Sequence, residues 1–198
     1  MARQQKPDLI VLDLMLPGID GMNICRRYRN EAGGDTPILM LTARDTLEDK
    51  VAGLEPDLIV LTGDYLEEER NIRGVLSFLK QLRAPHGIYA VQGNWEYWSR
   101  LEGENLRRHF AGAGVKLLIN ERADLEIKGR ALSIYGMDYP SATDSLHRLQ
   151  QEVDPRRFNL LLSHVPAFAH EQLSEHINLV LSGHTHGGQI RLPYLPPF

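Results

Sequence analysis

Short apolar runs bounded by turn-forming residues alternate with amphipathic stretches along this chain. This alternation is typical of βα units arranged around a largely parallel sheet. The pattern predicts an α/β fold in which helices cover a mostly parallel sheet. The predicted strands are 8–12, 37–42, 57–62, 87–91, 158–162 and 177–182, with further strands near 115–118, 124–127 and 131–136.

Three of the intervening stretches have the apolar spacing of a helix, namely residues 21–33, 45–55 and 71–85. The second begins with Asp45 at an N-cap position and has Glu48 three residues later, which is the spacing of a capping box. The third carries an apolar stripe and runs into a proline, which is expected to end the helix. All three are therefore predicted to cover the sheet.

The hexapeptide PDLIVL occurs at residues 7–12 and again at residues 56–61. The segments that follow the two copies are unrelated, DLMLPGIDG after the first and TGDYLEEER after the second. The hexapeptide is apolar and partly β-branched, as expected for a strand that is buried in a parallel sheet. We interpret the recurrence as two similar buried strands and not as an internal repeat.

Charge and composition limit the partners and the location. The net charge is −4 and the basic residues are scattered, so no basic stripe is available to follow a phosphate backbone, and we expect no nucleic-acid partner. Asp13, Pro17 and Gly18 interrupt the apolar run near the N-terminus, which predicts neither a signal peptide nor a membrane span. The single cysteine, Cys25, can form no internal disulfide, which fits a cytoplasmic protein.

Four apolar runs end in side chains of the kinds that bind metal ions. Asp64, Asn94 and His164 each follow one run, and His184 and His186 follow the fourth. Ligands collect outside the carboxyl ends of strands in open α/β sheets, so these side chains are expected to meet in one crevice. Carboxylate, amide and imidazole groups without a thiolate favour Zn, Mn or Fe. The sequence therefore predicts a divalent-metal site.

The motifs at these strand ends resemble those of the calcineurin-like metallophosphoesterases over about residues 56–192. The matching segments are GD at 63–64, GN at 93–94, SH at 163–164 and GHTHGGQ at 183–189. The resemblance implies hydrolysis of a small phosphoester at two metal ions, with Asp64, Asn94 and His164 in the catalytic centre. It further implies that Asp64 bridges the metals, that Asn94, His164 and His184 complete one metal site, and that His186 belongs to the other.

Three features depart from the family's pattern. The family's first motif, Asp-x-His, has no counterpart: Ala43 and the candidate substitute ligand Asp45 stand in its place after one strand, or Asp13 and Met15 after an earlier one. Trp95 stands where the family usually has a histidine, and an indole cannot titrate. The family also continues with further strands, so we expect a C-terminal truncation. These departures imply one metal site largely intact, a damaged second site and impaired hydrolysis.

The N-terminal segment resembles a different family. PDLIVLDLMLPGIDG, a helical stretch and TPILMLTARD together resemble the middle of a response-regulator receiver domain, over about residues 6–55. By this resemblance Asp13 corresponds to the phosphoacceptor and Thr42 to the hydroxyl residue that senses the phosphoryl group. The acidic residues that hold Mg²⁺ in such a domain would precede this segment and are absent from the chain, so we expect no efficient phosphorylation.

Together the two resemblances predict a chimera. Residues 1–55 are expected to form a receiver-like βαβα fragment with flavodoxin-like units, and residues 56–198 a phosphoesterase-like domain whose first βα unit this fragment replaces. The leading hypothesis is a metal-dependent phosphoric ester hydrolase. Two alternatives remain at this point: a signalling module in which Asp13 accepts a phosphoryl group, and a chimera without activity.

Overall fold

The computed structural model of the chain describes residues 10–13, 27–28, 38–41, 56–140, 143–166 and 173–185. Within these ranges every predicted strand is confirmed, and residues 27–28 are helical. The strands are β1 (Ile10–Asp13), β2 (Ile38–Leu41), β3 (Leu58–Leu61), β4 (Ile88–Ala90), β5 (Val115–Leu117), β6 (Glu121–Ile127), β7 (Arg130–Gly136), β8 (Phe158–Ser163) and β9 (Leu179–Ser182). The helices are a 3-10 turn at Glu69–Asn71, α1 (Ile72–Leu79), α2 (Asn94–Trp98), α3 (Gly103–Ala111) and α4 (Thr143–Gln151).

The strands form two sheets. The first sheet has the order β1-β2-β3-β4-β5 and is parallel throughout. The second has the order β6-β7-β8-β9, in which β6 and β7 form an antiparallel hairpin and the other pairs are parallel. The predicted α/β class with mostly parallel strands is confirmed, and the structure adds that the strands are divided between two sheets.

The two sheets pack face to face, and helices cover their outer faces. One apolar cluster combines Leu58 and Val60 of β3 with Ile134 of β7 and Leu160 of β8, and it forms the layer between the sheets. Alternate residues of a strand point to opposite faces, so Ile59 and its neighbours pack instead against the helices on the outer side. This arrangement buries all four residues of β3 and explains why PDLIVL is apolar at successive positions.

The outer helical layers differ in part from the sequence prediction. On the outer side of the first sheet, Leu106 and Phe110 of α3 are fully buried, and on the second sheet Leu146 and Leu149 of α4 are buried. Neither α3 nor α4 was predicted. Leu106 and Phe110 are four residues apart and Leu146 and Leu149 three, and both spacings place two side chains on one face of a helix. Helix α1 ends at Leu79, earlier than the proline at which it was predicted to end. The chain turns after Leu79 and still buries its next leucine, Leu82, in the apolar layer outside the first sheet.

The N-terminal strands belong to the same sheet as β3. β2 lies directly beside β3, with Leu39 paired to Leu58, and β1 lies on the far side of β2. The N–H of Ile38 donates to Asp57 Oδ2 at 3.0 Å, and Lys128 Nζ lies 2.9 Å from the other oxygen of that carboxylate. A single buried carboxylate therefore joins β2 to the start of β3 and to the β6–β7 turn. None of the helices in the part of the chain that the structure describes has the length and apolar character needed to cross a bilayer.

Candidate metal centre

Four of the predicted ligands meet where strands of the two sheets end. Asp64 follows β3 and Asn94 opens α2 after β4, both in the first sheet. His164 and His184 follow β8 and β9 in the second sheet. The side chains of Asp64, His164 and His184 bring one potential ligand atom each to within 4.8 Å of one another. The convergence predicted from the strand ends is thus present, and it occurs between the two sheets.

The donor atoms of these four side chains form a close cluster. Asn94 Oδ1 lies 2.9 Å from His164 Nε2 and 2.9 Å from His184 Nδ1. The two ring nitrogens are 3.2 Å apart, and Asp64 Oδ2 is 3.3 Å from His164 Nε2. His164 is buried and Asn94 is buried, whereas His184 is exposed. The cluster therefore lies at the edge of the core with one open side.

The ring orientation of His164 is set by a backbone group. Its Nδ1 lies 2.7 Å from the carbonyl oxygen of Thr62, which can only accept a hydrogen bond, so Nδ1 carries a hydrogen. In the neutral ring Nε2 is then the unprotonated nitrogen, and its lone pair faces the cluster. A backbone carbonyl that fixes the tautomer in this way is a common feature around metal-binding histidines.

The spacing of the donor atoms fits a divalent cation. Metal–ligand distances of about 2.1 Å place neighbouring ligand atoms about 3.0 Å apart in an octahedral site and about 3.4 Å apart in a tetrahedral one. The distances from Asn94 Oδ1, from Asp64 Oδ2 and between the two rings run from 2.9 to 3.3 Å. One carboxylate, one amide oxygen and two imidazoles are the ligands that Zn, Mn and Fe accept. Both the chemistry and the spacing therefore suit such an ion.

The loop before Asp64 has an unusual backbone. Gly63 has φ 101° and Asp64 has φ 62°, both in the left-handed region. A Cβ on Gly63 would lie 2.6 Å from His164 Nδ1, so this position needs glycine for both conformation and space. Asp64 accepts the N–H of Trp95 at 3.1 Å through Oδ1, which leaves Oδ2 directed towards His164. The turn and this hydrogen bond together fix where the carboxylate points.

The electrostatics of the cluster favour charged Asp64 and His164 when no cation is present. Burial raises the pKa of Asp64, but the hydrogen bonds from His164 and from the Trp95 N–H, together with the electrostatic effects of His164 and His184, outweigh burial and leave it below the usual value. Burial lowers the pKa of His164, but hydrogen bonding to Asp64 and to the Thr62 carbonyl, together with the negative charges of Asp64 and Glu96, outweighs burial and leaves it above the usual value. His164 therefore holds a proton next to the Asp64 carboxylate, and a bound cation would balance the negative charge of that carboxylate in its stead.

Other predicted site residues lie outside the described residues or are described only by their backbone. His186 and Asp45 fall outside, as does Thr42. Asp13 ends β1, and only its backbone is described. The roles expected for these residues stay predictions. β2 lies beside β3 and β1 lies beyond β2, so the strands that precede the two alternatives for the missing Asp-x-His motif differ in their distance from β3.

Besides the Thr62 carbonyl, sequence reasoning missed two side chains near the cluster. Glu96 is completely buried, and its carboxylate accepts hydrogen bonds from the backbone around Asp64 and Asn94. Its position three residues after Gly93, at the start of α2, is the spacing at which a glutamate caps a helix, and this signal could have identified it. Tyr139 was also missed: its ring centroid lies 6.2 Å from that of His164.

Trp95 is half-buried, and its backbone N–H contacts Asp64. Tyr97, two residues later, is 44% exposed, and its ring centroid lies 5.9 Å from that of Tyr139. These two tyrosine rings meet edge to face, as the Tyr139 and His164 rings do. Aromatic rings thus extend from the predicted metal ligands to the surface on one side.

Two families match the chain. Residues 39–188 match the calcineurin-like phosphoesterase family, and residues 1–60 match the response regulator receiver domain. The two matches overlap at residues 39–60, which include most of β2 and β3. Both resemblances stated from the motifs are therefore confirmed.

Individual relatives agree with these matches. YkoQ of Bacillus subtilis, an uncharacterized metallophosphoesterase, is 34% identical over 142 residues, which are 69% of this chain and 52% of YkoQ. Cj0846 of Campylobacter jejuni, also an uncharacterized metallophosphoesterase, is 31% identical over 152 residues, which are 74% of this chain and 40% of that protein. Response regulator MprA of Mycobacterium leprae is 39% identical over 82 residues, which are 41% of this chain and 34% of MprA. The chain thus spans about half or less of the length of these relatives.

A solved structure supports the fold. The sulfate thiohydrolase SoxB of Thermus thermophilus superposes with a TM-score of 0.51 at 20% identity, over 86% of this chain and 34% of SoxB. At this level of identity the similarity concerns the arrangement of strands and helices. It agrees with the two-sheet architecture described above.

Proposed function

The chain belongs to the calcineurin-like phosphoesterase family, and on this premise we propose that it hydrolyses small phosphate esters with a divalent metal ion held by Asp64, Asn94, His164 and His184. The observation that carries the proposal is the convergence of four donor atoms from two sheets at 2.9 to 3.3 Å. Lone pairs of four side chains this close together repel one another, and a proton or a cation between them is needed to offset that repulsion.

The residues of this chain have separate tasks in the proposed reaction. A divalent cation, when bound, supplies positive charge that stabilises the negative charge developing on a phosphoryl group during hydrolysis. Asp64 contributes the negative charge that holds such a cation, and the Trp95 N–H keeps its carboxylate oriented. The Thr62 carbonyl holds the hydrogen of His164 on Nδ1, so that Nε2 is free to bind. The open side at exposed His184 leaves room for a small substrate.

We expect the turnover to be slow. Trp95 stands where a titrating group is usual in the family, and an indole N–H cannot donate a proton to a leaving group at neutral pH. General acid catalysis typically contributes about 10²–10⁴-fold to a rate, so its loss alone would leave weak activity. The Trp95 backbone still contacts Asp64, which supports retention of metal binding even where catalysis is reduced.

The second metal position is proposed to be incomplete. His186 remains its predicted ligand, and the Asp-x-His motif that the family uses has no counterpart. β2 is the strand beside β3, so the residues after β2, which include Asp45, are better placed by sheet order than Asp13 to contribute a substitute ligand. We therefore expect about one tightly bound metal ion per chain.

The experiment is metal analysis combined with turnover of a chromogenic phosphodiester. The full chain is stripped with a chelator, reconstituted separately with Mn²⁺, Fe²⁺ and Zn²⁺, and assayed with bis(p-nitrophenyl) phosphate. We expect about one ion per chain and slow hydrolysis that the chelator abolishes. Asp64→Asn and His184→Asn should lose both the ion and the activity.

His109→Asn is the matched control, because this histidine is exposed on α3 and is not one of the proposed ligands. It should retain the metal and the activity of the unmodified chain. If the unmodified chain binds none of the three metals after reconstitution, the proposed function is wrong. Equal metal binding by Asp64→Asn and the unmodified chain would disprove the assignment of the ligands.

A further inference from the structure

Glu96 has the most complete set of hydrogen bonds of any carboxylate near the cluster in the described residues, and it is not a predicted ligand. Its side chain is 0% exposed. Both of its oxygens accept backbone N–H groups. The donors are Tyr65 at 2.5 Å and Leu66 at 3.1 Å to Oε1, and Asp64 at 2.9 Å and Gly93 at 2.7 Å to Oε2.

Because four backbone N–H groups point at the Glu96 side chain, its oxygen atoms must both accept hydrogen bonds. A protonated carboxyl, or an amide in its place, would direct at least one hydrogen towards a backbone N–H. Burial raises the pKa of Glu96 above its usual value, and the four backbone N–H groups offset that rise only in part. Successive N–H groups that point into one concavity form an anion-binding nest, here occupied by a side chain of the same protein.

The carboxylate of Glu96 joins the two segments that carry predicted ligands. Three of its donors lie in the loop at residues 64–66, and the fourth is Gly93, directly before Asn94. Asp64 is held there at φ 62°, a conformation that a non-glycine residue adopts at some cost. The backbone bonds to Glu96 can offset that cost, because they require the N–H of Asp64 to face inward in this conformation.

We propose that Glu96 is a positioning residue for the metal centre: its carboxylate fixes the Asp64 loop against the start of α2, so that the Asp64 and Asn94 side chains converge. Its hydrogen bonds go to backbone N–H groups, so it positions the two side chains through the main chain. The inference rests on the proposed function, since it assumes that the cluster binds a metal ion.

The test compares Glu96→Gln with Glu104→Gln in the full chain. Glutamine keeps the size of the side chain but places an NH₂ group against backbone donors. Glu104 is exposed on α3, where it forms an ion pair with Arg107, so its replacement controls for the loss of one negative charge. Mn²⁺ affinity is measured by calorimetric titration of chelator-stripped protein, and the visible absorption spectrum of bound Co²⁺ reports on ligand geometry.

We expect Glu96→Gln to weaken Mn²⁺ binding by about 10–100-fold, as loss of an outer hydrogen-bond partner typically does, and to change the Co²⁺ spectrum. Glu104→Gln should match the unmodified chain in both measurements. The thermal midpoint in excess chelator is recorded for each variant, because a purely structural role would lower that midpoint and leave the affinity and the spectrum unchanged.

Glu96→Asp provides a second variant if Glu96→Gln does not fold. It keeps the charge, shortens the side chain by one methylene, and should show a smaller loss of affinity. The inference is overturned if a folded Glu96 variant binds Mn²⁺ as tightly as the unmodified chain with the same Co²⁺ spectrum, or if neither variant folds, which would assign Glu96 to fold stability. Absence of metal binding by the unmodified chain is a separate result that refutes the proposed function itself.

Discussion

Gly93→Ala is expected to damage the metal centre through one added methyl group. Gly93 has φ −110°, a value that alanine adopts freely, so only the space around the new Cβ matters. An ideal Cβ there would lie 2.6 Å from the backbone nitrogen of Asp64 and 2.9 Å from Cε1 of His164, and it would overlap Asp64 Oδ1 as well. Two of the proposed ligands are thus in direct conflict with the methyl group.

The size of the effect follows from these contacts. Ordinary van der Waals contact begins at 3.4 Å, so the Cβ and the Asp64 nitrogen must separate by about 0.8 Å. That nitrogen donates to Glu96 at 2.9 Å, so a displacement of this size would weaken the hydrogen bond. Overpacking of this kind costs about 1–3 kcal/mol of unfolding free energy. A functional site needs its groups within about 0.5 Å of their working positions, so we expect the Mn²⁺ affinity to fall by about 10–100-fold.

Gly74→Ala is the matched control because it is the same substitution in an open position. Gly74 lies within α1, and nothing lies within 4 Å of the Cβ that alanine would add. Alanine in a helix interior is better than glycine by about 0.5–1 kcal/mol, so this variant should be more stable than the unmodified chain. The two variants are therefore expected to change stability in opposite directions.

The assay is urea unfolding in excess chelator together with Mn²⁺ titration of each variant. Unfolding in chelator isolates the packing cost from the contribution of bound metal. The reasoning is refuted if Gly93→Ala keeps both the unfolding midpoint and the Mn²⁺ affinity of the unmodified chain. A loss of stability without a loss of Mn²⁺ affinity would show that the backbone around Gly93 shifts and leaves the proposed ligands in place.

Two further predictions concern protons and phosphoryl transfer. In excess chelator, the pKa of His164 is raised, so its contribution to stability is present below the usual imidazole pKa and is lost as pH rises through the raised value. The pKa of Asp64 is lowered, so its contribution is present above the usual carboxyl pKa and is lost as pH falls through the lowered value. The stability difference between the unmodified chain and His164→Asn, measured by urea unfolding, should therefore be largest between about pH 4 and about pH 6.5, and a pH-independent difference would contradict the assigned pair. Incubation with acetyl phosphate should leave the intact mass unchanged, and an adduct that disappears in Asp13→Asn would instead favour the signalling alternative.

The sequence predicted the strands well because their burial pattern is local. β3 and β8 are each apolar enough to be recognised without knowledge of their neighbours. Periodicity reports burial but not the identity of the pairing partner, so the division of the strands into two sheets could not be predicted from it. The candidate ligands after β4 and β8 were expected to meet in one crevice at the strand ends of a single sheet, and they meet between two sheets.

The candidate ligands could be predicted because their residue types carry the chemistry. Asn94 and His184 were recognised from side chains that bind metals and from their places after apolar runs. The capping spacing from Gly93 could have marked Glu96 as a helix cap, but its bonds to the backbone of the Asp64 loop could not be predicted, because backbone N–H groups are the same at nearly every position. Thr62 was missed for the same reason, since it acts on His164 through its carbonyl oxygen. Groups that orient ligands through the main chain become visible only in three dimensions.

The difference between main-chain pairing and side-chain chemistry also explains how a receiver-like segment can share a sheet with phosphoesterase strands. β2 pairs with β3 through main-chain groups, with Leu39 opposite Leu58, and any apolar strand of suitable length can make these bonds. Metal ligation depends instead on particular side chains, and the strand beside β3 does not bring an Asp-x-His motif with it. The pairing of β2 with β3 is thus compatible with the fold, and we propose that the second metal site is incomplete because the Asp-x-His motif has no counterpart. We therefore expect any bound metal to depend on the residues after β3, β4, β8 and β9, and to be insensitive to replacement of Asp13.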